Sequence, residues 1–314
     1  MRALSGEMDN LIDEINNLID NLREYLDSLP WTLPSGEEKK TLEEVQEKTQ
    51  PPLRGLGKLV WADKEEKYAP IVGEALKRLA LASSSAYGAF KFYPLLLTVY
   101  HLGMLAHFHG RPNYLRLLLT LQLPARRDDE NITALLPKLR DRFYSHTYDI
   151  FERLYPEQCQ PLGWHLYNFL FVDPGVTKLN LPPKVKEEGL LHPSPTDTDS
   201  EGTLATYLEG EFVLGLLALK PQLAIEKPRP LFGLYVLMSP ALYYENSALF
   251  ARIKKLVTRP PTHLCQVLEL SGRTLREYLE ALVRSISNMR EDGCLSTSRV
   301  YEDLLQDQLG SCAQ

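Results

Sequence analysis

Long apolar runs and secretory features are missing from this 314-residue sequence. Its most apolar stretch, Tyr93 to Phe108, has about 16 residues and includes two histidines, whereas a membrane-spanning helix needs about 20 apolar residues. Residues Met1 to Glu7 lack the basic stretch and apolar core of a secretory signal. We therefore expect a cytoplasmic protein that does not contact membranes, with a buried core helix at the apolar stretch.

Cysteine is scarce, with four residues in the chain. Cys159, Cys265, Cys294 and Cys312 lie far apart and include no Cys-x-x-Cys pair. This spacing argues against a zinc ribbon and against a disulfide framework. It favours a reducing compartment and predicts no structural metal.

Basic charge is not in excess, because 35 basic residues stand against 41 acidic ones and the net charge is −6. The protein as a whole is therefore not a polycation that coats nucleic acid or an anionic membrane, and any such contact must be local. The acidity is concentrated in residues 1–50, which hold 12 acidic and 5 basic side chains. The rest of the chain is close to neutral.

Sequence motifs of catalysis are also missing. Gly-x-Ser-x-Gly does not occur, and Gly55-Leu56-Gly57-Lys58 lacks the spacing and the preceding strand of a phosphate-binding loop. His101, His107 and His109 are close in sequence, but on a helix they point in different directions. Arg111 follows that helix and is expected to cap orphan carbonyls or to pair with an acid. The sequence thus predicts no enzyme, no cofactor and no metal site.

Apolar residues in the N-terminal segment recur at alternating spacings of three and four, the pattern of a heptad helix. The seam consists of Met8, Leu11, Ile15, Leu18, Leu22, Tyr25 and Leu29, widened by Ile12, Ile19 and Leu26. Such a helix can pair with a second copy, dock on another protein or fold back on the chain's own body. We predict that Leu11, Ile15, Leu18 and Leu22 bind a partner protein, with a homodimer through this helix as an alternative.

The remaining sequence predicts a mainly α fold with three parts. Residues 1–50 form an acidic amphipathic segment, 51–240 a central helical domain interrupted by a proline-rich loop at 173–202, and 241–314 a winged-helix or helix-turn-helix-like module. The predicted helices after the heptad helix are Thr41–Lys48, Tyr68–Leu81, Phe92–Phe108, Asn113–Leu121, Ile132–Tyr155, Gly163–Phe171, Leu204–Leu219 and Ala248–Thr258.

The segment Leu264–Leu282 carries small and apolar residues at the core positions of a helix pair. They are Cys265, Val267, Leu268, Leu270, Leu275, Leu279 and Leu282. This pattern resembles the helix-turn-helix of bacterial transcription regulators, with Glu269 at the turn position that is usually glycine, so we expect a strained left-handed backbone there. The resemblance implies that Arg273, Arg276 and Arg284 contact duplex DNA.

The charge around this helix pair leaves its role open. Residues 252–290 hold 8 basic and 3 acidic side chains. This excess can contact phosphates, form a solvated face or meet the acidic residues 1–50. Helix pairs of this shape are also common as protein-docking modules.

Residues 49–119 carry a second set of landmarks. They are Thr49-Gln50-Pro51-Pro52-Leu53, Trp61, Ala75–Ala80, Tyr93–Leu96, Tyr100, Gly103, Gly110-Arg111, Tyr114, Leu115, Leu118 and Leu119. The set resembles helical regions of prokaryotic antiviral conflict-system proteins, found downstream of effector or ATPase domains. The resemblance implies a non-enzymatic adaptor or regulatory protein of a defence system, of the antiviral or CRISPR type, that binds an effector or regulatory subunit. A DNA-binding transcription regulator is the alternative.

Overall fold

The computed structural model describes residues 2–30, 36–82, 89–123, 133–142, 200–223, 247–270, 275, 277–282 and 284. This part of the chain is almost entirely helical, as predicted. Its helices are α1 (Arg2–Ser28), α2 (Glu38–Ala62), α3 (Ala69–Ala82), α4 (Ala89–Phe108), α5 (Pro112–Thr120), α6 (Leu135–Arg142), α7 (Ser200–Leu219), α8 (Ser247–Thr258) and α9 (Thr262–Leu268).

Three smaller elements complete the described fold. A 3-10 turn at Lys220–Gln222 follows α7. Strands β1 (Gln122–Leu123) and β2 (Thr133–Ala134) pair antiparallel. Residues 275, 277–282 and 284 are also helical and form, with α9, the C-terminal helix pair.

Helix α4 is the centre of the molecule. It packs against α2, α3, α5, α6 and α7, and its described side chains from Phe92 to His107 are all buried. A helix that is apolar all round must be surrounded by other helices. The prediction of a buried core helix at this stretch is therefore confirmed.

Glycines allow α4 and α7 to approach closely. A Cβ on Gly103 would lie 2.6 Å from Leu214, and a Cβ on Gly210 would lie 2.8 Å from the Cβ of Met104 and 3.1 Å from its Cα. Each glycine thus leaves room for a side chain of the opposite helix. Helix α7 is buried on all sides over residues 209–219, as expected for the second helix of a central pair.

Helix α1 folds back on the chain's own body, one of the three fates that its heptad pattern allows. Ile15, Ile19, Leu22 and Leu26 are buried in the common core, and the helix packs on α2 and α3. Arg78 of α3 fixes it further by donating hydrogen bonds to Asn16 and Asp20.

This packing bears on the four residues predicted to bind a partner. Ile15 and Leu22 are buried in the core, whereas Leu11 and Leu18 are half-buried at one side of the helix. The apolar seam is therefore largely occupied by the protein itself.

Helix α2 is longer than the predicted Thr41–Lys48 helix, since it begins at Glu38 and continues through Pro51 and Pro52. The boundary predicted between residues 50 and 51 falls inside it. The two prolines remove two backbone donors. The helix nevertheless continues because Leu42, Val45, Leu53, Leu56 and Leu59 form a continuous buried stripe along it.

The helices predicted around residues 68–81, 92–108, 113–121, 204–219 and 248–258 are all confirmed within a few residues. Helix α6 covers part of the predicted Ile132–Tyr155 helix. The last three residues of the predicted loop 173–202 belong to α7, and the rest of that loop and the predicted helix Gly163–Phe171 lie outside the described residues. In the described part of the chain, no helix is both long enough and apolar enough to cross a membrane.

The crossing of α4 and α7 yields a test of the packing. We expect Gly210→Ala to lower the free energy of unfolding by about 1 to 3 kcal/mol, because the added methyl group meets the backbone of Met104. Urea denaturation measures the change. The control is Gly73→Ala, whose methyl group would meet the flexible side-chain ends of Leu117 at 3.0 Å and Leu121 at 3.6 Å; it should change stability by less than about 1 kcal/mol. Equal effects of the two variants would contradict a close crossing at Gly210.

Candidate functional site

A chain of polar side chains crosses the core where four helices meet. Nε2 of His107 on α4 lies 3.2 Å from Oε1 of Glu209 on α7. Its other ring nitrogen, Nδ1, lies 3.2 Å from Nε2 of His263 on α9. Arg252 of α8 contacts the second oxygen of Glu209 at 3.5 Å. We call these four residues the polar chain.

The hydrogen bonds of the polar chain can follow one another from donor to acceptor. Burial and the neighbouring His107 lower the pKa of His263 to about 4, so His263 is neutral at pH 7. A neutral His263 donates from Nε2 when Nδ1 of His107 is unprotonated, and His107 then donates from Nε2 to the Glu209 carboxylate. Both ring nitrogens of His107 are engaged within the chain. Its role is therefore to tie the C-terminal helices to α4 and α7.

The three histidines that are close in sequence do not converge. His101 is fully buried beside α2, His107 belongs to the polar chain, and His109 lies past the end of α4. Burial and the charge of Arg111 lower the pKa of His109. Within the described ranges, no three His, Cys, Asp or Glu side chains are grouped so that they could hold a metal ion.

His101 is an unusual core residue, because in the part of the chain that the structure describes neither ring nitrogen has a hydrogen-bond partner. Burial and the nearby Arg54 lower its pKa to about 3. A Cβ on Gly57 would overlap its ring, and a Cβ on Gly55 would lie 2.7 Å from Ile15 of α1. The two glycines of Gly55-Leu56-Gly57-Lys58 therefore serve helix packing.

The loop between α2 and α3 forms a second polar cluster, which joins α2 to α5. Arg111 donates to the carbonyl oxygens of Trp61 at 3.4 Å and Lys64 at 3.2 Å. This confirms the predicted capping role, although the carbonyls belong to the end of α2 and the following loop. Glu66, with a φ of 56°, accepts from the backbone N–H groups of Asn113 at 2.6 Å and Tyr114 at 3.2 Å.

This cluster was missed by the sequence analysis. Asp63 accepts hydrogen bonds from the Tyr114 hydroxyl and from the Tyr68 backbone, both at 2.7 Å. Burial and this hydrogen bond to Asp63 raise the pKa of Tyr114. Glu66 supplies the negative charge that the N-terminus of α5 favours. The sequence feature that could have indicated this cluster is the group of three acidic residues, Asp63, Glu65 and Glu66, in the short connector between two helices.

The turn of the C-terminal helix pair has the expected left-handed residue. Glu269 has a φ of 58° and a ψ of 46°, and the N–H of Leu270 donates to the carbonyl of Cys265 at 3.0 Å. Lys220, just after α7, lies 2.9 Å from Oε1 of Glu269 and donates to the carbonyl of Val267 at 2.9 Å. The lysine thus explains why a glutamate stands where glycine is usual.

The predicted core face of the helix pair is mostly buried. Val267, Leu268, Leu275, Leu279 and Leu282 lie in the common core, and Cys265 and Leu270 are half-buried. The Tyr278 hydroxyl donates to the carbonyl of Leu268 at 2.9 Å and joins the two helices.

Of the residues predicted to contact DNA, Arg284 is exposed, whereas Arg273 and Arg276 lie outside the described residues. Next to the pair, Lys254, Lys255 and Arg259 are exposed at the end of α8. We call these three residues the basic face.

The outward side of α1 carries the opposite charge. Five carboxylates are exposed along it, and its exposed base, Arg23, lies 3.7 Å from Asp27. We call these carboxylates the acidic face; they are Asp9, Asp13, Glu14, Glu24 and Asp27.

Comparison with known proteins gave no match to a family model, to a curated protein or to a solved structure.

The histidine at position 101 gives a pH-dependent prediction. We expect His101→Leu to raise the free energy of unfolding by about 1 to 2 kcal/mol at pH 7, because a buried polar ring without a hydrogen bond is removed. In the natural chain, His101 takes up a proton below about pH 6.5 in the unfolded state but only below about pH 3 in the folded state. Stability therefore falls as pH falls through this window.

The His101→Leu variant should lose this part of the acid sensitivity, which urea denaturation at a series of pH values measures. The sensitivity due to His263 and His109 should remain in both proteins. An identical pH profile for variant and natural chain would contradict the assigned environment of His101.

The left-handed turn gives a matched pair of variants. Glu269→Gly and Glu269→Ala both remove the contact with Lys220, but only alanine keeps a Cβ in the left-handed region. We expect the glycine variant to be more stable by about 1 kcal/mol. Thermal unfolding of the two variants measures the difference, and equal midpoints would show that the turn carries no strain.

Proposed function

We propose that this protein is a non-enzymatic adaptor or regulatory protein that acts by binding other proteins. The observation that carries the proposal is the pair of outward faces of opposite charge, the acidic face on α1 and the basic face on α8. An adaptor needs at least two surfaces that engage partners separately. Complementary charge at such surfaces guides encounter and selects partners.

The fixed position of α1 on the rest of the fold supports this function. The inward side of α1 is held by Ile15, Ile19 and Leu22 in the core and by Arg78 of α3. The helix thus holds its carboxylates in a fixed row without an ordering penalty on binding. Leu11 and Leu18 border this row half-buried and add apolar contact area next to the charges.

The setting in prokaryotic antiviral defence rests on the resemblance of residues 49–119. Most landmarks of that resemblance are core residues here, among them Leu76, Leu79, Tyr93 and Tyr114. Their burial is what the resemblance implies for packing residues of a helical region. The partner is then an effector or another regulatory subunit, and we propose that a basic surface of that protein binds the acidic face.

The test is affinity purification with mass spectrometry from native cells. We expect a stoichiometric partner with the natural chain and at least about tenfold less of it with Asp13→Lys/Glu24→Lys, because the charge of the acidic face then falls from −5 to −1. The control is Glu65→Lys/Glu74→Lys, which reverses two exposed charges that lie on the α2–α3 loop and on α3 rather than on α1, and it should retain the partner. Equal recovery from both variants would exclude the acidic face as the binding surface.

A second candidate function is DNA binding through the basic face and the C-terminal helix pair. It is favoured by the clustering of Lys254, Lys255 and Arg259 beside a helix pair with a left-handed turn, since such residues neutralise phosphates. Lys255→Glu/Arg259→Glu separates the candidates. Binding to duplex DNA at low salt, lost in this variant and in Arg273→Ala/Arg276→Ala, would favour the DNA-binding regulator.

A further inference from the structure

We infer that copies of this chain associate head to tail, with the acidic face of one copy on the basic face of the next. The inference rests on the proposed function, because it names an occupant for the same two surfaces. The occupant is a second copy, and the argument is the charge complementarity of two faces on one molecule.

The order of packing sets the two faces apart. Helix α1 packs on α2, α2 on α4, α4 on α7, and α7 on α8. In this order three helices, α2, α4 and α7, separate α1 from α8.

The charges of the two faces are opposite in sign and alike in spacing. Of the basic face, Lys254 and Lys255 belong to α8, which contains no acidic residue, and Arg259 directly follows the helix, with its backbone N–H donating to the carbonyl of Lys255 at 2.8 Å. Lys255 and Arg259 are four residues apart, as are Asp9 and Asp13 on α1. Residues at this spacing follow one line on a helix surface. Two such lines can face each other so that each cation meets a carboxylate.

A symmetric dimer through α1 is disfavoured by the same charges. Its seam residues Ile15 and Leu22 are buried in the chain's own core, and its outward side would set carboxylates against carboxylates. The contact must therefore join two different surfaces, and such a contact produces either a closed ring or an open chain of copies.

The association should be weak and sensitive to salt. Exposed ion pairs contribute about 0 to 1 kcal/mol each. The screening length shortens from about 30 Å at 0.01 M salt to about 8 Å at 0.15 M. We therefore expect assemblies at low ionic strength that dissociate into single chains as salt is added.

Sedimentation velocity of the purified full chain over a concentration series tests this inference. At about 20 mM salt the average mass should rise with concentration, and at about 500 mM it should be that of one chain. Asp13→Lys/Glu24→Lys reduces the charge of the acidic face from −5 to −1 and leaves the basic face intact, whereas Lys255→Glu/Arg259→Glu changes the basic face from +3 to −1 and leaves the acidic face intact. Each variant alone should stay a single chain, and a mixture of the two should associate again.

Three outcomes overturn the inference: a single chain at low salt, association of either variant alone, or a mixture that does not associate. The Glu65→Lys/Glu74→Lys control should associate like the natural chain, and matching unfolding midpoints show that all variants fold. A natural chain that stays single at low salt, yet loses a co-purifying partner in the Asp13→Lys/Glu24→Lys variant, would refute self-association and leave the proposed function standing.

Discussion

The burial of α4 on all sides is the constraint from which the rest of the fold follows. Its apolar surface extends around the whole helix, so five other helices are needed to cover it. Two of them, α2 and α7, approach it through glycines at 57 and 210, and α4 receives Leu214 at its own Gly103. Helices α1 and α8 pack on the helices that cover α4, and each keeps one side exposed to solvent. The charged faces are therefore a consequence of how the central helix is enclosed.

Polar contacts between buried side chains link the helices to one another. The polar chain ties α7, α8 and α9 to the end of α4, and the Asp63–Glu66 loop ties α2 to α5. In a core of low dielectric constant each hydrogen bond is stronger than in water, and each missing one is more damaging. His101 differs from these groups, since neither nitrogen of its buried ring has a hydrogen-bond partner among the described residues.

Local patterns predicted the helices well and their partners poorly. The apolar run at 93–108 is stable only when it is buried in a core, so its burial could be predicted. Glu269 was identified as the left-handed residue from the helix-turn-helix-like spacing. Self-pairing, partner binding and folding back all require the same heptad seam on α1. The sequence of the apolar stripe does not specify which surface covers it. The polar chain joins positions 107, 209, 252 and 263, which no sequence spacing connects. Lys220 likewise meets Glu269 only because the tertiary fold brings them together.

Exposed carboxylates on α1 and exposed bases at the end of α8 separate charges of opposite sign within the described part of the chain, which the net charge of −6 does not reveal. The field of an approaching charged body exerts a torque on charges separated in this way as well as a net force. Encounters would then favour an orientation in which α1 or α8 leads, according to the sign of the approaching surface. The placement of these two helices in the fold would in this way influence the direction of approach before either helix makes contact.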